Sequence, residues 1–187
     1  FGNSFDQQST SSCSGQCWSG YYCPFATAQP LECGQGSYCE GSDVTGTLGA
    51  TSMLPCHPGT YSDATRLTNP EDCHACPPGH SCGTGSIQPT PCDAGRYAAN
   101  RSASSCTVCE PGYYQDEEAQ TSCKPCRDGY LCIEGSSAPQ PCPGGTHANQ
   151  TILNMTGFLV SLDQCIECRE GTSCSVGSAE PSACTRF

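Results

Sequence analysis

The sequence predicts a small disulfide-rich fold, mostly irregular chain with short β-ribbons, built as an elongated tandem-repeat rod with almost no helix. Three observations carry this. Twelve times a cysteine is followed three residues later by glycine: nine of these, Cys17, Cys33, Cys56, Cys76, Cys92, Cys109, Cys126, Cys142 and Cys168, open a unit, and Cys82, Cys132 and Cys174 stand at the end of one. Cysteine makes up 20 of the 187 residues, a density that marks a disulfide scaffold. Val, Ile, Leu and Phe together number only 21. At about 1.5–3 kcal/mol per buried side chain they do not offset the backbone entropy of an ordered chain this long. Cross-links, at about 2–4 kcal/mol each, must supply the rest. No 3.6-residue apolar period survives the cysteine and glycine spacing, hence the expectation of almost no helix.

The elements follow in order. Residues 1–12 are a polar, Ser/Gln-rich arm without cysteine. Residues 13–55 hold two short CxxGxxC units, Cys17 to Cys23 and Cys33 to Cys39, with a stretched linker. Residues 56–91 hold a long unit, Cys56 to Cys73, and a short one, Cys76 to Cys82. Residues 92–141 hold two long units, Cys92 to Cys106 and Cys109 to Cys123, and the short Cys126 to Cys132. Residues 142–187 hold the longest unit, Cys142 to Cys165, the short Cys168 to Cys174, and the end that carries Cys184. The linkers GTGSIQPTP, IEGSSAPQP and SVGSAEPSA share Gly-Ser and Pro at matched offsets, which predicts one turn used repeatedly. Such a series is a small unit copied along the chain.

Within the frame, Gly20 and its eight equivalents are expected at positive φ or at close backbone approaches. Two positions beyond the glycine stand Tyr22, Tyr38, Tyr61, Tyr97 and Tyr114. Each is expected to cover its own disulfide as a miniature core, because ring area is what a coreless unit lacks.

Disulfides at this density require an oxidising compartment, so the expected location is extracellular or at the cell surface. Three sequons agree: Asn100-Arg-Ser, Asn149-Gln-Thr and Asn154-Met-Thr. The start, Phe1-Gly-Asn-Ser-Phe-Asp, has neither a basic nor an apolar run, as expected of a mature or excised segment. No stretch reaches the roughly 18 apolar residues of a membrane span. A net charge of −11 with seven Lys and Arg argues against nucleic acid as a partner.

The stretch CEPGYYQDEEAQTSCKPC from Cys109 to Cys126, with CHPGTY from Cys56 and CDAGRY from Cys92, resembles the ephrin-receptor-like cysteine-rich repeat, itself similar to the first module of tumour-necrosis-factor-receptor domains. The resemblance extends from Cys13 to Cys184 and implies an extracellular, elongated, disulfide-bonded array. Members of the family are parts of receptors, adhesion proteins and surface filaments.

Two pairing schemes are open. In one, every unit-opening CxxG cysteine joins the next cysteine in sequence: Cys17–Cys23, Cys33–Cys39, Cys56–Cys73, Cys76–Cys82, Cys92–Cys106, Cys109–Cys123, Cys126–Cys132, Cys142–Cys165 and Cys168–Cys174. It leaves Cys13 and Cys184 for inter-repeat or intermolecular bonds. In the other, groups such as Cys73, Cys76, Cys82 and Cys92 pair one to three and two to four, as receptor modules do. The first is favoured because it uses every copy of the motif and needs no strained Cys106–Cys109 bond.

Zinc is a rival reading of Cys106, Cys109, Cys123 and Cys126, with His57, His74 and His80 beside other cysteines. A disulfide repeat explains the same spacing, so no cofactor or metal is expected. Nor is an enzyme, since cysteines used structurally supply no thiolate nucleophile. The acidic run Asp116, Glu117, Glu118 reads as a solvated loop tip. Ser81 and Ser173 sit in a frame that resembles the O-fucose acceptor of epidermal-growth-factor modules.

One segment breaks the polar texture, the 152–162 stretch with Ile152, Leu153, Phe158, Leu159, Val160 and Leu162. It either packs back on its own array or makes an assembly contact between arrays, and residues 44–54 are a milder case. The expected function is that of an extracellular structural glycoprotein, a rod-like subunit of a surface filament, appendage or matrix. Its expected partners are itself or a longer array, with other extracellular glycoproteins or glycans. The alternative is an ectodomain stalk or ligand-binding region of a surface receptor or adhesion protein.

Overall fold

The computed structural model describes residues 17–24, 27, 29–40 and 50–184. The expectations for the 1–12 arm, for Cys13 and for most of the 44–54 linker lie outside them. The chain divides into two compact units, 1–90 with 100–105 and 91–99 with 106–187.

Each unit-opening CxxG frame makes a tight turn and then one strand of a two-stranded antiparallel ribbon. In the first unit the ribbons are Tyr21–Tyr22 with Leu31–Glu32, Ser37–Tyr38 with Leu54–Pro55, and Thr60–Tyr61 with His74–Ala75. In the second they are Arg96–Tyr97 with Thr107–Val108, Tyr113–Tyr114 with Lys124–Pro125, Tyr130–Leu131 with Gln140–Pro141, Thr146–Ala148 with Cys165–Glu167, and Thr172–Ser173 with Ser182–Ala183. His57-Pro58-Gly59-Thr60 shows why the frame turns. The Thr60 amide donates to the His57 carbonyl at 3.0 Å, and its hydroxyl donates to the same oxygen at 2.7 Å. Proline second and glycine third is the composition of a type II turn, and Gly59 has the φ of +87° that its third position requires.

The core is the disulfides themselves. Among the described residues, ten of the sixteen buried apolar ones are half-cystines, gathered with a few side chains into small clusters rather than one interior. Tyr22 packs against Cys33, Cys39 and Ala50, while Tyr38 packs with Cys56, Cys73 and Leu67. This corrects the expectation that each tyrosine covers its own bond. These two cover the bond of the following unit, because the tyrosine lies on the strand whose partner leads straight into the next opening cysteine: Tyr38 pairs with Leu54, two residues before Cys56.

Helix is nearly absent among the described residues, as expected, and the one α-helix is short. Within the Cys142 to Cys165 loop, α1 spans Gln150–Thr156. Asn149 caps it, its Oδ1 accepting from the amides of Thr151 at 3.0 Å and Ile152 at 3.4 Å, and Gly157 ends it at a φ of +81°. An Asn cap and a left-handed glycine stop eight residues apart suffice for two turns, given an apolar face that has somewhere to go.

Candidate functional site: the bonds that join repeats

The nine disulfides of the described residues join each unit-opening cysteine, Cys17 to Cys168, to the next cysteine in sequence, with Cα–Cα distances of 5.6–6.3 Å. Each bond therefore closes a single unit. No disulfide among the described residues links one unit to another, and within each compact unit backbone links between them recur in one register.

Four kinds of bond make up that register. First, the amide of the next opening cysteine donates to the carbonyl of the frame glycine, at 2.8–3.0 Å. Examples are Cys33 to Gly20, Cys56 to Gly36, Cys76 to Gly59, Cys109 to Gly95, Cys126 to Gly112, Cys142 to Gly129 and Cys168 to Gly145. Second, the frame glycine's own amide donates to the residue three beyond the next glycine: Gly36 to Ser62, Gly59 to Cys82, Gly95 to Gln115, Gly112 to Cys132 and Gly145 to Cys174, at 2.7–2.9 Å. Third, that same residue's amide donates onward, as from Ser62 to Ser86, Gln115 to Ser136 and Ala148 to Ser178, each at 3.0 Å. Fourth, a residue in the next unit or in the linker that follows it returns a bond to the opening cysteine's carbonyl, at 2.8–2.9 Å: Arg66 to Cys33, Gly85 to Cys56, Ser102 to Cys76, Ala119 to Cys92, Gly135 to Cys109 and Gly177 to Cys142.

All six donors of the fourth kind have left-handed backbone, with φ from 58° to 75°. Five of the frame glycines lie directly beneath such a residue. Where Gly36 would carry a Cβ stands the carbonyl of Gly85, and Arg66, Ser102, Gly135 and Gly177 stand likewise over Gly20, Gly59, Gly95 and Gly129. The glycine is thus needed twice, for its φ and for the backbone that passes over it.

The position three beyond each glycine separates the two unit types. In short units it is the closing cysteine, such as Cys39, Cys82 or Cys132, each fully buried. In long units it is Ser62, Ala98, Gln115 or Ala148, each at most 3% exposed. The hydroxyl of Ser62 accepts the Ala64 amide at 3.2 Å. The Gln115 carboxamide donates to the Ser122 carbonyl at 2.7 Å and accepts from Glu117 at 3.1 Å. These side chains start the longer loop from the place a sulfur occupies elsewhere. The sequence signal was present, a small or amide residue in the cysteine's place, but its burial is legible only from the stack.

The remaining predicted residues fall as follows. Cys184 is a free, exposed cysteine whose amide donates to the Gly171 carbonyl at 3.0 Å, the position of an opening cysteine. Cys106, Cys109, Cys123 and Cys126 are divided among three disulfides. His57 stacks on Tyr38 with ring centroids 6.3 Å apart, His74 lies against Tyr61 at 5.8 Å, and His80 Nδ1 meets the Pro78 carbonyl. Asp116 is paired with Lys124 at 2.6 Å, which holds its carboxyl below the usual range and raises the ammonium. Glu117 also reaches Lys124, at 3.5 Å.

The 152–162 stretch is largely turned inward. Leu159 is fully buried with Leu131, Cys142 and Ala148, and Ile152 and Leu153 pack on that cluster. The ring of Phe158 lies where a Cβ on Gly112 would stand. Val160 is half-buried, its amide donating to Gln164 Oε1 at 2.7 Å. Ile152, Leu153, Phe158 and Leu159 thus follow the packing-back alternative: a loop of 22 residues between cysteines has enough chain to fold an apolar face over its own array. Leu162 and Met155 remain exposed, at 46% and 81%.

No helix among the described residues is long and apolar enough to cross a membrane. No protein-family profile matches the chain, and no curated protein matches it in sequence.

Proposed function

We propose that this chain is a non-enzymatic extracellular structural glycoprotein, a rod-like stretch of a surface filament, appendage or matrix. The observation that carries the reading is the fourfold backbone register. Main-chain bonds in one register link the repeats, over glycines that must stay bare, so the joint recurs with the frame, and side-chain contacts such as Tyr38 on Cys56 and Gln150 on Ala179 add to it locally. Disulfides keep each unit closed while load passes through many short backbone bonds. An oxidising, extracellular setting follows from the disulfides. The resemblance to ephrin-receptor-like repeats supports the same setting, and a receptor or adhesion stalk remains its second use.

Cys184 supports the assembly part of the reading. It stands where an opening cysteine stands and its sulfur is free and exposed, as a bond to Cys13 of a second copy would require. Electron microscopy of the native material tests the proposal. Filaments or extended particles with a regular repeat are expected, and compact separate particles overturn it.

A further inference from the structure

The sequons Asn149-Gln-Thr and Asn154-Met-Thr share the loop closed by Cys142 and Cys165, yet the structure gives them different surroundings. Asn149 is half-buried, with its Oδ1, backbone amide and carbonyl all engaged. Its Oδ1 holds the amides of Thr151 and Ile152, its own amide donates to the Gln164 carbonyl at 3.1 Å, and its carbonyl accepts from Leu153 at 3.0 Å. The next residue, Gln150, is tied through its carboxamide to the Ala179 carbonyl at 2.8 Å, so the linker of the following unit lies beside this sequon. Asn154, Met155 and Thr156 are all exposed on the last turn of α1. Met155, at 81%, is the most exposed large apolar side chain among the described residues.

We propose that the oligosaccharide of this loop is carried by Asn154 and that Asn149 stays bare. The proposal rests on the glycoprotein reading and sharpens it. The modification forms a bond from the carboxamide Nδ2 to the anomeric carbon of a lipid-pyrophosphate-linked oligosaccharide. The pyrophosphate leaves with the bonding pair, and Nδ2 gives up one proton. On Asn154 the saccharide points to solvent and lies beside Met155, which accounts for an apolar side chain left in water. On Asn149 it must leave from a half-buried carboxamide pinned to the first turn, next to a docked linker. A saccharide there crowds the cap that Asn149 makes to the first turn of α1.

The test is mass spectrometry of the full chain secreted from glycosylating cells, with the sugars removed by amidase in heavy-oxygen water so that each carrier asparagine becomes labelled aspartate. Label at Asn154 and none at Asn149 is the expected result. Two variants accompany it. Asn154→Gln loses one glycan's mass, whereas Asn149→Asp, which removes the sequon but keeps a capping oxygen, loses none and secretes normally. Label at Asn149, or loss of a glycan in Asn149→Asp, overturns the assignment. Label at Asn100 alone overturns it while leaving the glycoprotein reading intact, and no label at any sequon overturns both.

Discussion

The amide of Gly36 donates to the carbonyl of Ser62 at 2.8 Å, tying the turn of one unit to the residue that opens the loop of the next. The same glycine's carbonyl receives the amide of Cys56. A single residue without a side chain thus holds both ends of a joint. This makes the glycine, as much as the cysteine, the unit's structural requirement.

Gly59→Ala and Gly145→Ala separate the two demands on that glycine. Both residues have left-handed φ, +87° and +86°, so each substitution carries about 1–2 kcal/mol of backbone cost. Over Gly59 the backbone of Ser102 fills the space a Cβ would need, whereas Gly145 has nothing within 4 Å. Thermal melting under non-reducing conditions is expected to show the larger loss for Gly59→Ala. Equal losses would mean that close approach contributes nothing.

Ala119 is the converse case. It occupies the left-handed position filled elsewhere by Gly85, Gly135 and Gly177, at a φ of 58°. Ala119→Gly relieves that strain at the cost of added freedom in the unfolded chain, for a net stabilisation of up to about 1 kcal/mol. A higher melting temperature is the expected readout.

The apolar loop segment offers a test of burial against exposure. Leu159→Ala removes a fully buried side chain from the Leu131, Cys142 and Ala148 cluster and is expected to cost about 2–5 kcal/mol. Leu162→Ser, at a side chain 46% exposed, is expected to change stability by less than about 0.5 kcal/mol. Denaturant unfolding of the two variants measures both.

Asp72 gives a pH dependence. Its carboxylate accepts the amides of Thr68 at 3.0 Å and Asn69 at 2.9 Å, and these bonds hold its pKa below the ordinary 3.8. A carboxyl depressed in the folded state contributes stability above its unfolded pKa. That contribution is present above 3.8 and is lost as pH falls from there through the lower folded value. Asp72→Asn is expected to flatten the acid limb of the melting-temperature profile in that window, by a small amount because the group is exposed to solvent.

Much of this architecture was legible in the sequence, because cysteine and glycine are the residues whose spacing carries geometry most directly. The frame, the unit boundaries and the nearest-neighbour pairing could be written from Cys17 to Cys174 without coordinates. What could not be read was anything set by stacking. Tyr22 and Tyr38 cover the next unit's bond because of strand register, which a repeat count does not specify. The second left-handed position was hidden because Arg66, Ser102 and Ala119 stand there as well as glycine. The helix Gln150–Thr156 was missed because one apolar face and an Asn cap are a weak signal inside a polar, cysteine-punctuated chain. Among the residues of the candidate site, Ser62 and Gln115 stand in the closing cysteine's place in the frame, but as ordinary polar residues they gave no sign of their burial.

Disulfide mapping by mass spectrometry of an unreduced digest tests the central claim, that every unit is closed by its own bond and joined to its neighbours without one. The predicted result is peptides linking Cys56 to Cys73, Cys76 to Cys82, and Cys92 to Cys106. Peptides linking Cys73 to Cys82 and Cys76 to Cys92 would contradict it, because sulfur would then bridge units whose backbone register does the joining.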